Sequence, residues 1–119
     1  MPLTAVAFPI LPGKTQEWRA WMADLNGPRR DEFRASREGA GIHERTFLQQ
    51  TPMGDLVIVT IEGDDPGRAF GTLMAAKDPF TAWFIERAIA IHGIDPSAVT
   101  SGPLSELVVD SAPEPVLAG

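Results

Sequence analysis

Residues 41–62, GIHERTFLQQTPMGDLVIVTIE, decide the fold. Thr51-Pro52-Met53-Gly54 is a turn, and it splits the stretch into two strands of different character: Ile42 to Gln50 and Asp55 to Gly63. The second carries Leu56, Ile58 and Thr60 on one parity and Val57, Val59 and Ile61 on the other, as expected of a central strand covered on both faces. The first, HERTFLQQ, is mostly polar and suits an edge strand or the wall of a wet cavity.

Upstream, Leu3 to Leu11 alternates bulky Val6, Phe8 and Ile10 with small Ala5 and Ala7, the pattern of a strand whose bulky face meets helices. Pro9 cannot donate to a ladder and marks the end of the regular pairing. Trp18, Trp21, Met22 and Leu25 then recur at amphipathic helical spacing, with Thr15 as the expected N-cap. Asn26-Gly27-Pro28 interrupts that helix, and a polar second piece over Arg29 to Glu38, with Phe33 its one large apolar residue, is expected to be a solvated continuation ending at Gly39-Ala40-Gly41.

Downstream, Asp64-Asp65-Pro66 and Asp78-Pro79 are two helix starts, each an aspartate cap followed by proline at the first helical position. The second helix carries Phe80, Trp83, Phe84, Ala88 and Ile91 up to Gly93, whose following Ile94 suggests a Schellman ending. Asp95-Pro96-Ser97 can start one more turn, Gly102-Pro103 punctuates, and Leu104 to Asp110 predicts a final strand before a proline-rich tail over 111–119.

The order strand, helix, strand, strand, helix, strand is the ferredoxin-like split βαβ pattern, an α+β fold with a four-stranded antiparallel sheet and helices on one face. A single domain over 1–110 accounts for it. Because the strand at 55–63 has no polar face, the sheet surface away from the helices is expected to need a partner, most simply a second copy of the chain. VAFPILPGKTQEWRAWMADL, the hairpin FLQQTPMGDLVIVTIEGDDP, then a helix and closing strand resemble the dimeric α+β barrel superfamily. That resemblance implies a homodimer whose sheets face each other, and it spans cofactor-independent monooxygenases of antibiotic biosynthesis, haem-degrading enzymes, chlorite dismutase-like haem proteins and small stress proteins.

The 119 residues carry a formal net charge of -6 and no cysteine. The acidic balance argues against a counterion-releasing grip on nucleic acid, and the lack of thiols removes disulfides, thiolate metal sites and cysteine nucleophiles. No stretch has the length and apolarity of a membrane span, and the first residues lack a signal-peptide pattern, so a cytoplasmic location is the expectation. Two histidines without recurring ligand spacing predict no metal site, and no cofactor motif is present: Gly13-Lys14-Thr15 lacks the upstream glycine of a phosphate loop.

A ligand is expected at the polar strand. His43, Arg45, Phe47 and Gln49 share one parity, favoured as pocket-facing, where imidazole can move a proton, guanidinium can hold an anion and an amide can orient a carbonyl. The competing reading makes this an edge strand whose polar residues meet water or a partner subunit, with Arg45 paired to Glu62 or a nearby Asp, and a one-residue register shift exchanges the two faces. Trp83 and His92 are further candidates. His92 near a helix C-terminus also suits a cation complementing the helix dipole, and Trp18, Trp21, Trp83, Phe80 and Phe84 suit either core or an aromatic pocket. The haem-degrading relatives use an Asn on the first strand; LTAVAFPIL has none, although His92 could serve as an axial haem ligand. Three functions follow as expectations: a small-molecule-binding dimer, monooxygenase-like if it is an enzyme; a non-catalytic dimerisation or stress-type module with a filled interior; or haem binding.

Overall fold

The computed structural model describes residues 2–99 and 104–112. Strand β1 (Leu3–Pro9) is followed by helices α1 (Thr15–Asn26) and α2 (Arg30–Gly39), the hairpin β2 (His43–Thr51) and β3 (Gly54–Glu62), then α3 (Pro66–Met74), α4 (Pro79–His92) and a single turn, α5 (Pro96–Val99). The sheet is antiparallel in the order β1-β3-β2, so the apolar strand is central and the polar one is an edge. Register follows from the two-residue loop Pro52-Met53, which sets Thr51 opposite Gly54 and hence Thr46 opposite Val59 and Phe47 opposite Ile58. On the other side Val6 lies opposite Val59 and Ala7 opposite Ile58.

Those pairings put Val6 and Phe8 of β1 and Val57, Val59 and Ile61 of β3 on one face, buried against Trp18, Trp21, Leu25, Phe70, Leu73, Met74, Phe80 and Ile91. Both the sheet and the amphipathic helices lose apolar surface in this single core, at roughly 25 cal/mol per Å² buried. Among the described residues no helix covers the opposite sheet face. Its rows run Ala5, Thr60, Arg45 and Ala7, Ile58, Phe47, and Phe47 is 52% exposed.

Local signals set the helix ends as expected. Asp65 accepts from the Arg68 amide with Pro66 at the first helical position, and Asp78 does the same for Thr81 behind Pro79. Gly93 ends α4 in the left-handed conformation at φ 69°, its amide bonded to Ile89. Thr15, by contrast, does not cap α1: its hydroxyl donates to Asp55 at the start of β3, and Lys14 occupies the cap position without a side-chain bond.

Two further expectations change. The segment 104–110 forms no strand: Ser105 Oγ reaches Thr4 Oγ1 at 3.1 Å and the Ala5 amide at 3.4 Å along the outer edge of β1, but no backbone ladder follows. Leu107, Val108 and Val109 are 75–82% exposed, so no apolar surface of the same subunit holds them in a pairing register. Gly102-Pro103 and the tail beyond residue 112 lie outside the described residues. Helix α2, expected to be solvated, instead buries Arg37 against the sheet. Among the described residues no helix is long and apolar enough to cross a membrane.

Candidate functional site

The side chains between the sheet and α1 and α4 do not close completely. They leave a cavity of about 40 Å³ walled by Phe8, Trp18, Trp21, Val59, Phe84 and His92, with Glu44 and Thr46 at its β2 side. That is room for roughly three water-sized groups. Outside it lies a vestibule of about 280 Å³ bounded by Trp18, Met22, Leu25, Asn26, Phe33, Glu44 and Thr46. The vestibule shares Leu25, Asn26, Phe33 and Glu44 with an open groove between α2 and the start of β2.

His92 is placed by the chain ends around it. The Leu11 amide bonds the Ile91 carbonyl at 2.9 Å and holds the last turn of α4 against the end of β1. This leaves His92 Nδ1 2.8 Å from the Pro9 carbonyl. A carbonyl can only accept, so Nδ1 carries the proton and a neutral His92 keeps a lone pair on Nε2. Burial pushes its pKa down, more than the Pro9 bond pushes it up. The imidazole, 5.4 Å from Phe8 and 6.2 Å from Trp21 between ring centroids, is therefore a neutral base and not the dipole-stabilising cation the helix end suggested.

The indole Nε1 atoms of Trp18 and Trp21 are buried and have no hydrogen-bond partner among the described residues. Leaving such a donor unsatisfied costs about 1–3 kcal/mol each. The two indole donors are thus sealed within the core, and Nε2 of His92 is left as an acceptor in an aromatic enclosure, an arrangement that suits a small molecule with a hydroxyl.

At the cavity mouth Arg37 Nε donates to Glu44 Oε1 at 3.0 Å and Nη2 to Oε2 at 3.5 Å. The two side chains are 6% and 4% exposed. Arg37 Nη1 also donates to Ser36 Oγ, and the guanidinium lies 4.6 Å from the ring centroids of both Phe33 and Phe84. Bidentate pairing and two aromatic faces offset the desolvation that a buried ion pair incurs.

Of the residues expected to form a site, His92 lines the cavity, as do Trp18, Trp21 and Phe84 of the aromatic set. His43, Arg45, Phe47 and Gln49 are all exposed and lie on the helix-free sheet face. There Arg45 pairs with Glu62 at 3.5 Å and His43 approaches the same carboxylate at 3.9 Å, as the edge-strand reading had it. His43 also borders the outer groove. Trp83 faces a separate surface cleft with Arg29 4.1 Å above its ring. Sequence reasoning missed Glu44, Thr46 and Arg37. The one available signal was Leu48, which shares the parity of Glu44 and Thr46 and packs against the core.

Among the described residues no three His, Asp or Glu side chains converge in a way that could hold a metal ion. Residues 1–95 match the sequence pattern of a family of unknown function, DUF6176. The chain belongs to that family. The match includes every strand of the sheet, α4 with His92, and the Arg37–Glu44 pair, and it ends before the exposed segment at 104–112. No curated protein and no solved structure matches the chain.

Proposed function

We propose that this DUF6176 protein is a homodimeric α+β barrel protein that binds a small organic molecule between its sheet and helices. The observation that carries the ligand reading is the cavity itself: a neutral histidine, its Nε2 without a hydrogen-bond partner among the described residues, in an aromatic enclosure. If the protein is an enzyme in the manner of the cofactor-independent monooxygenases, Nε2 of His92 is the group placed to take a proton from the ligand. The dimer reading is supported by the half-exposed row of Leu56, Ile58 and Phe47 and by the exposed Leu107, Val108 and Val109 beside the free edge of β1. Two such faces brought together would enclose His43, Arg45, Phe47 and Gln49.

Calorimetric titration with 2-naphthol, compared between the wild type and Thr46→Trp, tests the ligand reading. Thr46 is exposed at the mouth, so a tryptophan there should fill the vestibule, leave the fold intact and abolish binding; undiminished binding refutes the site. Light scattering should give a dimer that Ile58→Asp converts to a monomer, and a monomeric wild type removes the barrel. The non-catalytic alternative is favoured by one observation, the smallness of the 40 Å³ cavity, and it predicts no titratable binding. Haem does not fit that enclosure, whose free volume is about 40 Å³.

A further inference from the structure

The groove outside the vestibule is lined by Arg30, Arg34, Arg37, His43, Glu38 and Glu44 together with apolar Leu25, Phe33 and Ile42, and holds about 510 Å³. Its charges are not equivalent. Glu44 is neutralised by Arg37, which spends its donors on that carboxylate and on Ser36. Arg30 and Arg34 are exposed and, among the described residues, have no carboxylate within ion-pair distance. They stand four positions apart on α2, where side chains are neighbours on one helix face. Glu38 is the only other carboxylate among the lining residues, so this wall is locally positive in a chain whose formal net charge is -6.

Continuity gives the positive wall its meaning. Leu25, Asn26, Phe33 and Glu44 border both groove and vestibule, and Trp18, Met22, Leu25, Glu44 and Thr46 border both vestibule and cavity. Polarity therefore runs one way along the path, from free guanidiniums outside to an aromatic end inside. An anionic group carried inward would leave its counter-charges and meet the Glu44 carboxylate at the constriction, so the charged end belongs at the groove.

Resting on the binding reading above, we propose that the ligand is an apolar organic acid bound as its anion, with the carboxylate on Arg30 and Arg34 and the apolar body lying inward past Phe33 and Leu25 against Trp18. The vestibule takes the body, since the inner cavity admits only a small terminal group. Arg30 and Arg34 then select the ligand class, and the aromatic end selects its size.

Calorimetry with 2-naphthoate and 2-naphthol, which share the ring system and differ in charge at neutral pH, separates the two levels of the argument. The expected result is naphthoate binding at least about 10-fold tighter than naphthol, the ratio from one charge-assisted hydrogen bond. Arg30→Gln/Arg34→Gln should weaken naphthoate by about 10-fold or more and leave naphthol unchanged, with circular dichroism confirming the fold. Thr46→Trp should weaken both. Equal affinities for the two probes, or a naphthoate preference that survives the double substitution, overturns the anion proposal while sensitivity to Thr46→Trp keeps the cavity reading. If neither probe binds, or both bind regardless of Thr46→Trp, the cavity reading falls and the proposal with it.

Discussion

Removing one partner of the Arg37–Glu44 pair should destabilise the protein far more than removing both. Glu44→Gln leaves a guanidinium that is 6% exposed with Ser36, one amide oxygen and two ring faces, so the cost should sit near the lower end of the range for breaking a buried pair, about 3 kcal/mol. Arg37→Met leaves a carboxylate that is 4% exposed and accepts from no other side chain among the described residues. Its cost should approach about 4–5 kcal/mol. Arg37→Met/Glu44→Leu removes both charges and keeps much of the volume, and should return to within about 1 kcal/mol of the wild type or exceed it. Urea unfolding followed by fluorescence of Trp18, Trp21 and Trp83 reads all four proteins. With a slope of about 1.5 kcal/mol per molar urea, Glu44→Gln should lower the midpoint by about 2 M. If each single substitution costs less than about 1 kcal/mol and the double equals their sum, the pair is solvated and the buried ion pair described above is incorrect.

Two further outcomes test the site and its frame. Burial lowers the pKa of His92 from its ordinary 6.5, so the unfolded chain takes the proton first: the stability carried by neutral His92 is whole above pH 6.5 and declines as pH falls towards the lower folded value. Melting temperatures at pH 7.5 and 5.5 should fall more for the wild type than for His92→Gln, and an equal fall in both would contradict the neutral assignment. Asp78 accepts from both the amide and the hydroxyl of Thr81, so Asp78→Ala should cost about 1 kcal/mol and lower the melting temperature by about 4 °C; an unchanged melting temperature would show that α4 starts without this cap.

Much of this structure was legible because its signals are local. An aspartate before a proline caps a helix whatever surrounds it, and a glycine after α4 can take a left-handed conformation that other residues resist. The two-residue loop of the hairpin likewise set the strand pairing, out to His43 opposite Glu62. The segment at 104–110 shows the limit of that logic: LSELVVD has strand composition, but composition supplies no partner, and Leu107, Val108 and Val109 remain exposed.

The amino-acid sequence by itself determined the order of strands and helices as far as α5, the aspartate caps of α3 and α4, the hairpin turn, the centrality of DLVIVTIE and the bulky face of β1. Only the tertiary structure decided which face of HERTFLQQ looks at the helices. Because β3 is apolar on both parities, either face of β2 could be matched to it, and the choice fell to the helices that cover Val57, Val59 and Ile61. That choice sent His43 and Arg45 to the open face and Glu44 and Thr46 to the cavity, drew Arg37 out of a polar helix into a buried ion pair, and placed a neutral His92 beneath Pro9. Burial and charge compensation arise between residues far apart in the chain, so they are properties of the assembled core and not of any stretch within it.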